Sequence, residues 1–364
     1  MRPPASVGQK LEEVDTPALI LDLDVFEKNL ALLKGSVNKR VRVRPHAKCH
    51  KSAAIAKLQI ADGAVGVCVQ KVSEAEALAE GGIEDILISN EVVGAPKLAR
   101  MAELSRHARI GVCVDNLENL RQIAKSGAQL DVYVEIEVGM GRCGIAPGAP
   151  AVALAREIAA SPNLRFAGLQ AYHGRAQHLR TMEERRAVIA DASQKVFETK
   201  TLLEKAKLPC PIVTGAGSGT FMFEVESGAW DEIQPGSYIF MDADYAKNEW
   251  AAPLPRFGLS LFVLSTVMSC PAPETAIVDA GLKASSVDSG MPGIWNRPGL
   301  VYTRASDEHG WVKVSAPEKI VLGEKLLLVP GHCDPTVNLY DWYVCVRGGV
   351  VEALWPVSAR GAIY

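Results

Sequence analysis

The feature that most constrains the fold is a series of short β-branched segments that alternate with segments rich in Ala, Leu and Glu. The intervening segments, such as SEAEALAEGG and PKLARMAELSRHA, carry apolar residues at helical spacing. Strands that alternate with helices form a parallel sheet, and eight such units close a (β/α)8 barrel. The predicted strands are VRVRPHAK, AVGVCVQK, DILISNE, RIGVCVD, LDVYVEIEVG, RFAGLQAYHG, PIVTGAGSG and GSYIFMD.

The pattern changes after about residue 244. From Leu259 onward, strand-like runs follow one another with turns between them, as expected of an antiparallel domain. The run ALILDLD at 18–24 would add a ninth strand to the barrel, so we assign it to this second domain. We therefore predict an α/β fold, with a TIM barrel over 25–250 and a mainly antiparallel β domain from 1–24 and 251–364. The Pro-rich segment 251–258 is the predicted boundary.

The charge and hydropathy of the chain argue against nucleic acid and membranes as binding partners. The formal net charge is −3 and the chain has no long Lys/Arg run, which argues against nucleic acid or an anionic membrane surface. No apolar stretch approaches the roughly 18 residues that span a bilayer, and the N-terminus lacks the apolar region of a signal peptide. We expect a cytoplasmic protein that binds small molecules. Cys68, Cys113 and Cys345 lie in apolar runs and are predicted to be reduced and buried.

Lys48 ends the first predicted barrel strand, at the mouth where barrel enzymes place their active sites. A partly desolvated lysine among other cations has a lowered pKa and can form a Schiff base with an aldehyde cofactor. A surface ion pair is the alternative. Lys51 begins the helical stretch KSAAIAKL and is predicted to be solvated, whereas His46 and His50 are expected to form hydrogen bonds around Lys48.

Two further motifs suggest ligands. TGAGSGT at 214–220 follows the seventh predicted strand, where many barrels bind phosphate through backbone N–H groups, although flexible turns also use glycine. In PGHCDPTVNLYD at 330–341, extended geometry would aim His332 and Asp334 the same way. That pair suits Mn²⁺ or Mg²⁺ better than a thiolate zinc site, and a turn beside a helix cap is the alternative.

These motifs lie within segments that resemble the fold-type III pyridoxal phosphate (PLP) enzymes, and within them the D-threonine aldolase branch. The segments are DTPALILDLD, RPHAKCHK, VCVQKVSEAE, ISNEVVG, GMGRCG, LQAYHG, GSGT, GSYIFMDADY, VDAGLK, DEHG and GHCDPTVNL. The resemblance implies an alanine racemase-like barrel that holds PLP, a C-terminal β domain, and a head-to-tail homodimer with sites near the subunit interface.

The resemblance also implies roles for individual residues. Lys48 would be the Schiff-base residue, and His332 and Asp334 would bind the metal. The remaining implied cofactor contacts are Gln70, Arg142 and Tyr172, with the phosphate held by Gly217, Ser218, Gly219, Thr220 and Tyr238 of the eighth strand. Arg142 would face the pyridine nitrogen, or would instead pair with Glu135 or Glu137. Tyr172 would otherwise be a core aromatic.

The implied reaction is metal-assisted cleavage of a β-hydroxy-D-amino acid, such as D-threonine to glycine and acetaldehyde. His178 is the first choice for the base that takes the hydroxyl proton, with His173 or a metal-bound hydroxide behind it; an exposed loop residue is the alternative. A 3-hydroxy-D-aspartate aldolase giving glycine and glyoxylate is a second possibility, with Lys283, Arg175 or Arg180 binding the extra carboxylate. Dehydration is a third possibility, but the related D-serine and 3-hydroxyaspartate dehydratases have HxC where this chain has HxD. A non-catalytic PLP carrier is a fourth possibility, and the β domain argues against it.

Overall fold

A computed structural model describes residues 2–251 and 255–364. It contains two sheets, one parallel and one mainly antiparallel. Strand β1 (Ala18–Asp22) belongs to the second sheet, because it pairs with strands near the C-terminus. Part of the predicted domain boundary, at 252–254, lies outside the described residues.

The parallel sheet confirms the predicted barrel. From the second barrel strand onward, each strand pairs in parallel with the strand that follows it in the chain, and the last pairs with the first. A parallel bridge between His46 and Cys68 joins the two remaining neighbours. The strands are β2 (Arg42–Val43), β3 (Val67–Val69), β4 (Asp85–Glu91), β5 (Arg109–Val114), β6 (Leu130–Glu135), β7 (Leu164–Ala171), β8 (Val213–Gly215) and β9 (Glu232–Ile233).

Two predicted barrel strands differ from the observed ones. The first was expected over 41–48, but β2 is only two residues long and Ala47–Cys49 forms a 3₁₀ helix. The eighth was expected over 236–242, whereas β9 precedes that segment and Ser237–Ile239 is another 3₁₀ helix. Apolar alternation continues beyond the hydrogen-bonded ladder in both places because these turns are also buried.

An α-helix follows each barrel strand from β2 to β8, as predicted, and several of these helices begin at side chains that satisfy free backbone N–H groups. Asn116 caps one helix by accepting from the N–H groups of Glu118 and Asn119, and Thr181 forms a capping box with Glu184. The helices are α1 (Leu23–Ser36), α2 (Ala53–Ala61), α3 (Val72–Glu80), α4 (Ala95–Leu104), α5 (Leu117–Lys125), α6 (Ala149–Ala160), α7 (Met182–Lys205), α8 (Phe221–Ser227) and α9 (Cys333–Val337).

The second sheet is the predicted C-terminal β structure. All its pairings are antiparallel except that of β1 with β16. Its other strands are β10 (Leu261–Ala272), β11 (Thr275–Val278), β12 (Gly293–Ile294), β13 (Leu300–Ala305), β14 (Gly310–Val314), β15 (Lys325–Val329), β16 (Trp342–Arg347) and β17 (Val350–Pro356). The expectation of turns alone between these strands is wrong at α9, which follows β15.

The cores agree with the apolar pattern. Cys68, Cys113 and Tyr133 pack inside the barrel, and one large cluster lies between its strands and surrounding helices. The three cysteines predicted to be buried are fully buried and free. Among the described helices, none has the length and apolar character needed to cross a membrane.

Candidate active site

A cavity of about 320 Å³ opens at the carboxyl ends of the barrel strands. Seven residues with a predicted site role line it: Lys48, Gln70, Arg142, Tyr172, His178, Gly217 and Ser218. Segments more than a hundred residues apart in the chain therefore meet at one place, because parallel strands all end at the same mouth.

Lys48 lies in the 3₁₀ helix just beyond β2, and its ammonium contacts the carboxylate of Asp334. The predicted lowering of its pKa is wrong. Burial acts to lower the pKa of Lys48, but the Asp334 carboxylate outweighs burial and raises the pKa above its ordinary value. The contact joins the barrel lysine to the β-domain motif.

His46 and Gln70 support this lysine from the neighbouring strands. His46 Nδ1 accepts from the Lys48 backbone N–H at 3.4 Å, and its Nε2 lies 2.8 Å from Gln70 Nε2. Burial lowers the pKa of His46 well below its usual range, so the ring is neutral near pH 7. Lys51 is not solvated as predicted, because it is buried and pairs with Glu74 at 2.7 Å.

Arg142 and Tyr172 face each other across one wall of the cavity. The Arg142 guanidinium lies 5.8 Å from the centre of the Tyr172 ring. Its Nη2 is also 3.8 Å from Glu135 Oε1, so the predicted ion pair exists alongside the contact with Tyr172. Tyr172 lines the cavity and is only partly buried, which removes the alternative of a core aromatic.

The glycine-rich loop presents only part of its predicted cradle to the cavity. Gly217 and Ser218 line the cavity. The Gly219 N–H donates to Gln177 Oε1 at 2.8 Å, and Thr220 Oγ1 accepts from Gln177 Nε2 and donates to Glu224 Oε1. Gly219 and Thr220 therefore brace the loop from behind.

Tyr238 does not reach the cavity. Its phenol is buried, accepts from Gln59 Nε2 at 3.2 Å and packs edge-on against Phe257. The 3₁₀ turn that replaces the predicted strand rotates this side chain into the core. Its backbone N–H donates to Ser218 Oγ at 3.0 Å. The neighbouring residue, Ser237, lines the cavity.

His332 is extended as predicted, but Asp334 is not, because α9 begins at Cys333. His332 Nδ1 lies 2.8 Å from Asp288 Oδ2, a partner that the sequence reasoning missed. A carboxylate on one ring nitrogen leaves the other to bind a metal. Asp334 is largely buried and holds Lys48; burial acts to raise the pKa of Asp334, but Lys48 and His332 together lower it to about 2.

His178 lines the cavity at the end of the 3₁₀ helix Gly174–His178. Its Nδ1 lies 2.8 Å from Asp244 Oδ2, and Arg180 contacts the other oxygen of the same carboxylate at 2.5 Å. His173 is instead buried behind the wall, where its Nδ1 accepts from the Ala176 N–H. Of the two histidines, the structure brings only His178 to the cavity.

The three cations considered for a second substrate carboxylate lie in different places. Lys283 is exposed and pairs with Glu308 at 2.5 Å. Arg180 is occupied by Asp244 and Asn248. Arg175 alone of the three lines the cavity and is exposed there.

The donor set fits PLP. The cavity has an amine at one position, an aromatic ring with a guanidinium beside it, and a loop end at which the backbone N–H groups of Ser218 and Ser237 have no acceptor among the described residues. Uncommitted N–H groups on a tight loop are suited to phosphate. The imidazole of His332 and the carboxylate of Asp334 likewise fit a divalent cation.

Comparisons with known proteins show which class of enzyme this chain belongs to. The family model for the alanine racemase N-terminal domain matches residues 21–244, and the model for a putative serine dehydratase domain matches residues 260–346. The chain therefore belongs to the alanine racemase-like, fold-type III PLP enzymes.

Relatives over the full length give the branch. The chain is 50% identical to the D-threonine aldolase of Arthrobacter sp, covering 99% of this chain and 96% of the relative. It is 45% identical to a 3-hydroxy-D-aspartate aldolase of Paracoccus denitrificans, with the same coverage. The crystal structure of D-threonine aldolase from Filomicrobium marinum superposes with a TM-score of 0.97, at 50% identity and 100% coverage of both chains. A D-threo-3-hydroxyaspartate dehydratase of Delftia sp. is more distant, at 28% identity over 96% of each chain. The chain belongs to the D-threonine aldolase family.

Proposed function

We propose that this protein is a PLP- and divalent-metal-dependent aldolase that cleaves β-hydroxy-D-amino acids, with D-threonine giving glycine and acetaldehyde in a reversible reaction. The observation that carries the proposal is the contact of Lys48 with Asp334, which brings the barrel amine and the HxD motif of the β domain into one site. The D configuration comes from the family, not from the geometry.

The barrel residues bind and orient the cofactor. Lys48 Nζ is the amine that would hold it covalently, while Arg142 and Tyr172 lie where the pyridine ring would pack. Ser218 and Ser237 supply N–H groups for its phosphate, and Gln70 keeps His46 against Lys48. PLP, when bound, supplies an electron sink for the electron pair released when the Cα–Cβ bond breaks.

The β domain and the loop after β7 handle the hydroxyl group. His332 and Asp334 would hold Mn²⁺ or Mg²⁺, which lowers the pKa of a bound hydroxyl and fixes its direction. His178 is the base that accepts the hydroxyl proton, and Asp244 holds its Nδ1 so that Nε2 remains available. HxD in place of HxC favours this role over dehydration, because the carboxylate is the harder ligand.

The test is the variant His332→Ala in the PLP-loaded protein. Cleavage of D-threonine should be abolished while the absorbance of the lysine-bound cofactor is retained, because His332 is on the β domain and the cofactor is held from the barrel. The matched control is His309→Ala, which changes a partly exposed histidine of the same domain that does not line the cavity and should keep full activity. Full activity in His332→Ala, or in metal-stripped protein, would refute the metal-assisted scheme.

Arg175 favours a second candidate, 3-hydroxy-D-aspartate aldolase giving glycine and glyoxylate. This exposed guanidinium on the cavity wall can bind a second substrate carboxylate. In Arg175→Ala, kcat/KM should fall by about tenfold or more for 3-hydroxy-D-aspartate and much less for D-threonine. Lys283→Ala, which removes a cation outside the cavity, is the control. An equal loss on both substrates would contradict this role.

We further propose that the chain forms a homodimer, as the family resemblance implies, and that it is cytoplasmic. Its mass in solution, measured by light scattering, tests the dimer: twice the 39.0 kDa of one chain supports it. A mass of one chain would contradict it.

A further inference from the structure

Three consecutive barrel strands each lead into a carboxylate at the mouth of the barrel. Glu91 is the last residue of β4, Asp115 follows β5, and Glu135 is the last residue of β6. The loop after β6 adds Cys143. One ligand atom each from Glu91, Asp115 and Cys143 lies within 4.8 Å of the others, a spacing at which all three can reach one ion.

Proximity of acids alone does not make a site, but two of these carboxylates are buried without partners. Both carboxylate oxygens of Glu91 are inaccessible and form no hydrogen bond with the described residues. Glu135 is only 4% exposed, and its Oε2 is also unpartnered. Buried charges in proteins are paired or coordinate metals, so these oxygens require a counter-ion or a proton.

The charge around the group does not balance. Arg142 is 3.8 Å from Glu135 Oε1, while Asp115 accepts from the Gly144 N–H at 3.0 Å. Among the described residues, this one long contact with Arg142 is the only ion pair of the three carboxylates, which leaves a local excess of negative charge that a bound cation would relieve.

We propose that Glu91, Asp115 and Cys143 bind a divalent cation of the zinc type, with Glu135 beside it, using ligands separate from His332 and Asp334. Two carboxylates with one thiol form a mixed donor set that Zn²⁺ accepts and Mg²⁺ does not favour. Because Cys143 directly follows Arg142, the ion anchors the loop that places Arg142 against Tyr172. The proposal does not depend on which substrate is cleaved.

The test is metal content per chain in the PLP-loaded protein, after chelator treatment, exposure to Zn²⁺ and desalting. Cys143→Ser and Asp115→Asn should each hold one Zn²⁺ fewer than the wild type. Glu157→Gln, which removes a charge from the exposed face of α6, should hold as much as the wild type. His332→Ala should lose a different ion and leave this one in place, so failure of the proposed aldolase metal is distinguishable from failure of this site.

Zinc X-ray absorption gives a second readout that does not depend on counting ions. A sulfur neighbour at about 2.3 Å should be present in His332→Ala and absent when Cys143→Ser is added to it. Equal zinc content in the wild type, Cys143→Ser and Asp115→Asn would overturn the proposal, and a proton shared between Glu91 and Glu135 would then balance the charge. A sulfur neighbour that survives Cys143→Ser would overturn it as well.

Discussion

His178 combines three properties that a general base needs. It lines the cavity, its Nδ1 is held by Asp244 at 2.8 Å, and its side chain is 52% exposed, so that it can exchange protons with solvent. We predict that His178→Gln lowers kcat for D-threonine cleavage by about 10²- to 10⁴-fold, the usual contribution of a positioned base. The measurement is steady-state kinetics alongside the absorbance spectrum of the bound cofactor, which should not change.

The control for this variant is His107→Gln, which changes an exposed histidine whose partner is the surface residue Glu103. Its kinetics should match those of the wild type. If His178→Gln also keeps the wild-type kcat, the proton is taken by another group and the assignment fails.

Side chains at the site were predictable where strand position alone determines them. Lys48 was predicted in this way and lines the cavity as expected, whereas Arg142 and Tyr172, which also line it, were predicted from the family resemblance. The direction of the Lys48 pKa was not predictable, because its partner is 286 residues away in another domain. Asp288 was missed for the same reason, since nothing local in SSVDSG shows that it will meet His332.

Helix α8 and the loop before it contain a buried acid that the sequence reasoning did not consider. Glu224 is 1% exposed and accepts from Thr220 Oγ1, while its Oε2 has no partner among the described residues. Burial raises the pKa of Glu224 from 4.5 to about 8. The acid is therefore protonated at neutral pH and forms part of the support behind Gly219 and Thr220.

This pKa predicts how stability depends on pH. Between about 4.5 and 8 the folded protein keeps a proton that the unfolded chain has lost. The contribution of Glu224 is therefore fully present below about pH 4.5 and is lost as the pH rises toward 8, by up to about 1.4 kcal/mol per pH unit. Glu224→Gln should remove this slope, as measured by urea unfolding at several pH values between 5 and 8.

Glu226→Gln is the matched control, because Glu226 lies on the same helix but pairs with Arg186 at the surface. Its pH profile should follow the wild type. An unchanged slope in Glu224→Gln would mean that the acid is ionised in the folded protein and has a partner there.

The strand and helix patterns predicted the barrel correctly but misplaced its first and last strands. Apolar alternation in VRVRPHAK and GSYIFMD reflects burial, and both segments are buried as 3₁₀ turns instead of strands. Tyr238, which the family resemblance placed at the phosphate as part of the eighth strand, packs in the core. The carboxylates of Glu91, Asp115 and Glu135 were visible as strand ends in the sequence, and their proximity could have been deduced from the parallel order.

Closure of the barrel depends on a buried ion pair where the first strand meets the last. Arg44 follows β2, and its guanidinium contacts Glu232 of β9 at 2.9 Å and Asp85 of β4 at 2.6 Å. Glu232 is fully buried, and its other cation is the partly exposed Arg42 at 3.0 Å, so loss of Arg44 leaves the buried carboxylate with weaker compensation. We predict that Arg44→Met lowers the free energy of unfolding by roughly 3 kcal/mol, the lower end of the range for breaking a buried pair, because Arg42 keeps its contact with Glu232.

Urea denaturation followed by circular dichroism measures this loss. Arg106→Met removes an exposed partner of Glu103 and should change stability by less than about 1 kcal/mol. A similarly small change in Arg44→Met would show that the pair is not needed to close the barrel.

The candidate site takes residues from both domains, joined by the contact of Lys48 with Asp334, and the chemistry we propose needs both domains. The two-domain architecture was predictable because helical spacing stops after about residue 244. The meeting of Lys48 with Asp334 was not predictable from either segment alone, because it depends on how α9 packs against the 3₁₀ turn after β2. The family resemblance implied this meeting, because it assigned Lys48 and Asp334 to one active site.

The most direct test of the whole account is product analysis with D-threonine, using purified protein with PLP before chelation, after chelation and after Mn²⁺ is restored. We predict glycine and acetaldehyde in equal amounts, lost on chelation and recovered with Mn²⁺. Formation of an α-keto acid and ammonia would contradict the account, because it would show that a chain with Asp334 at the metal catalyses dehydration.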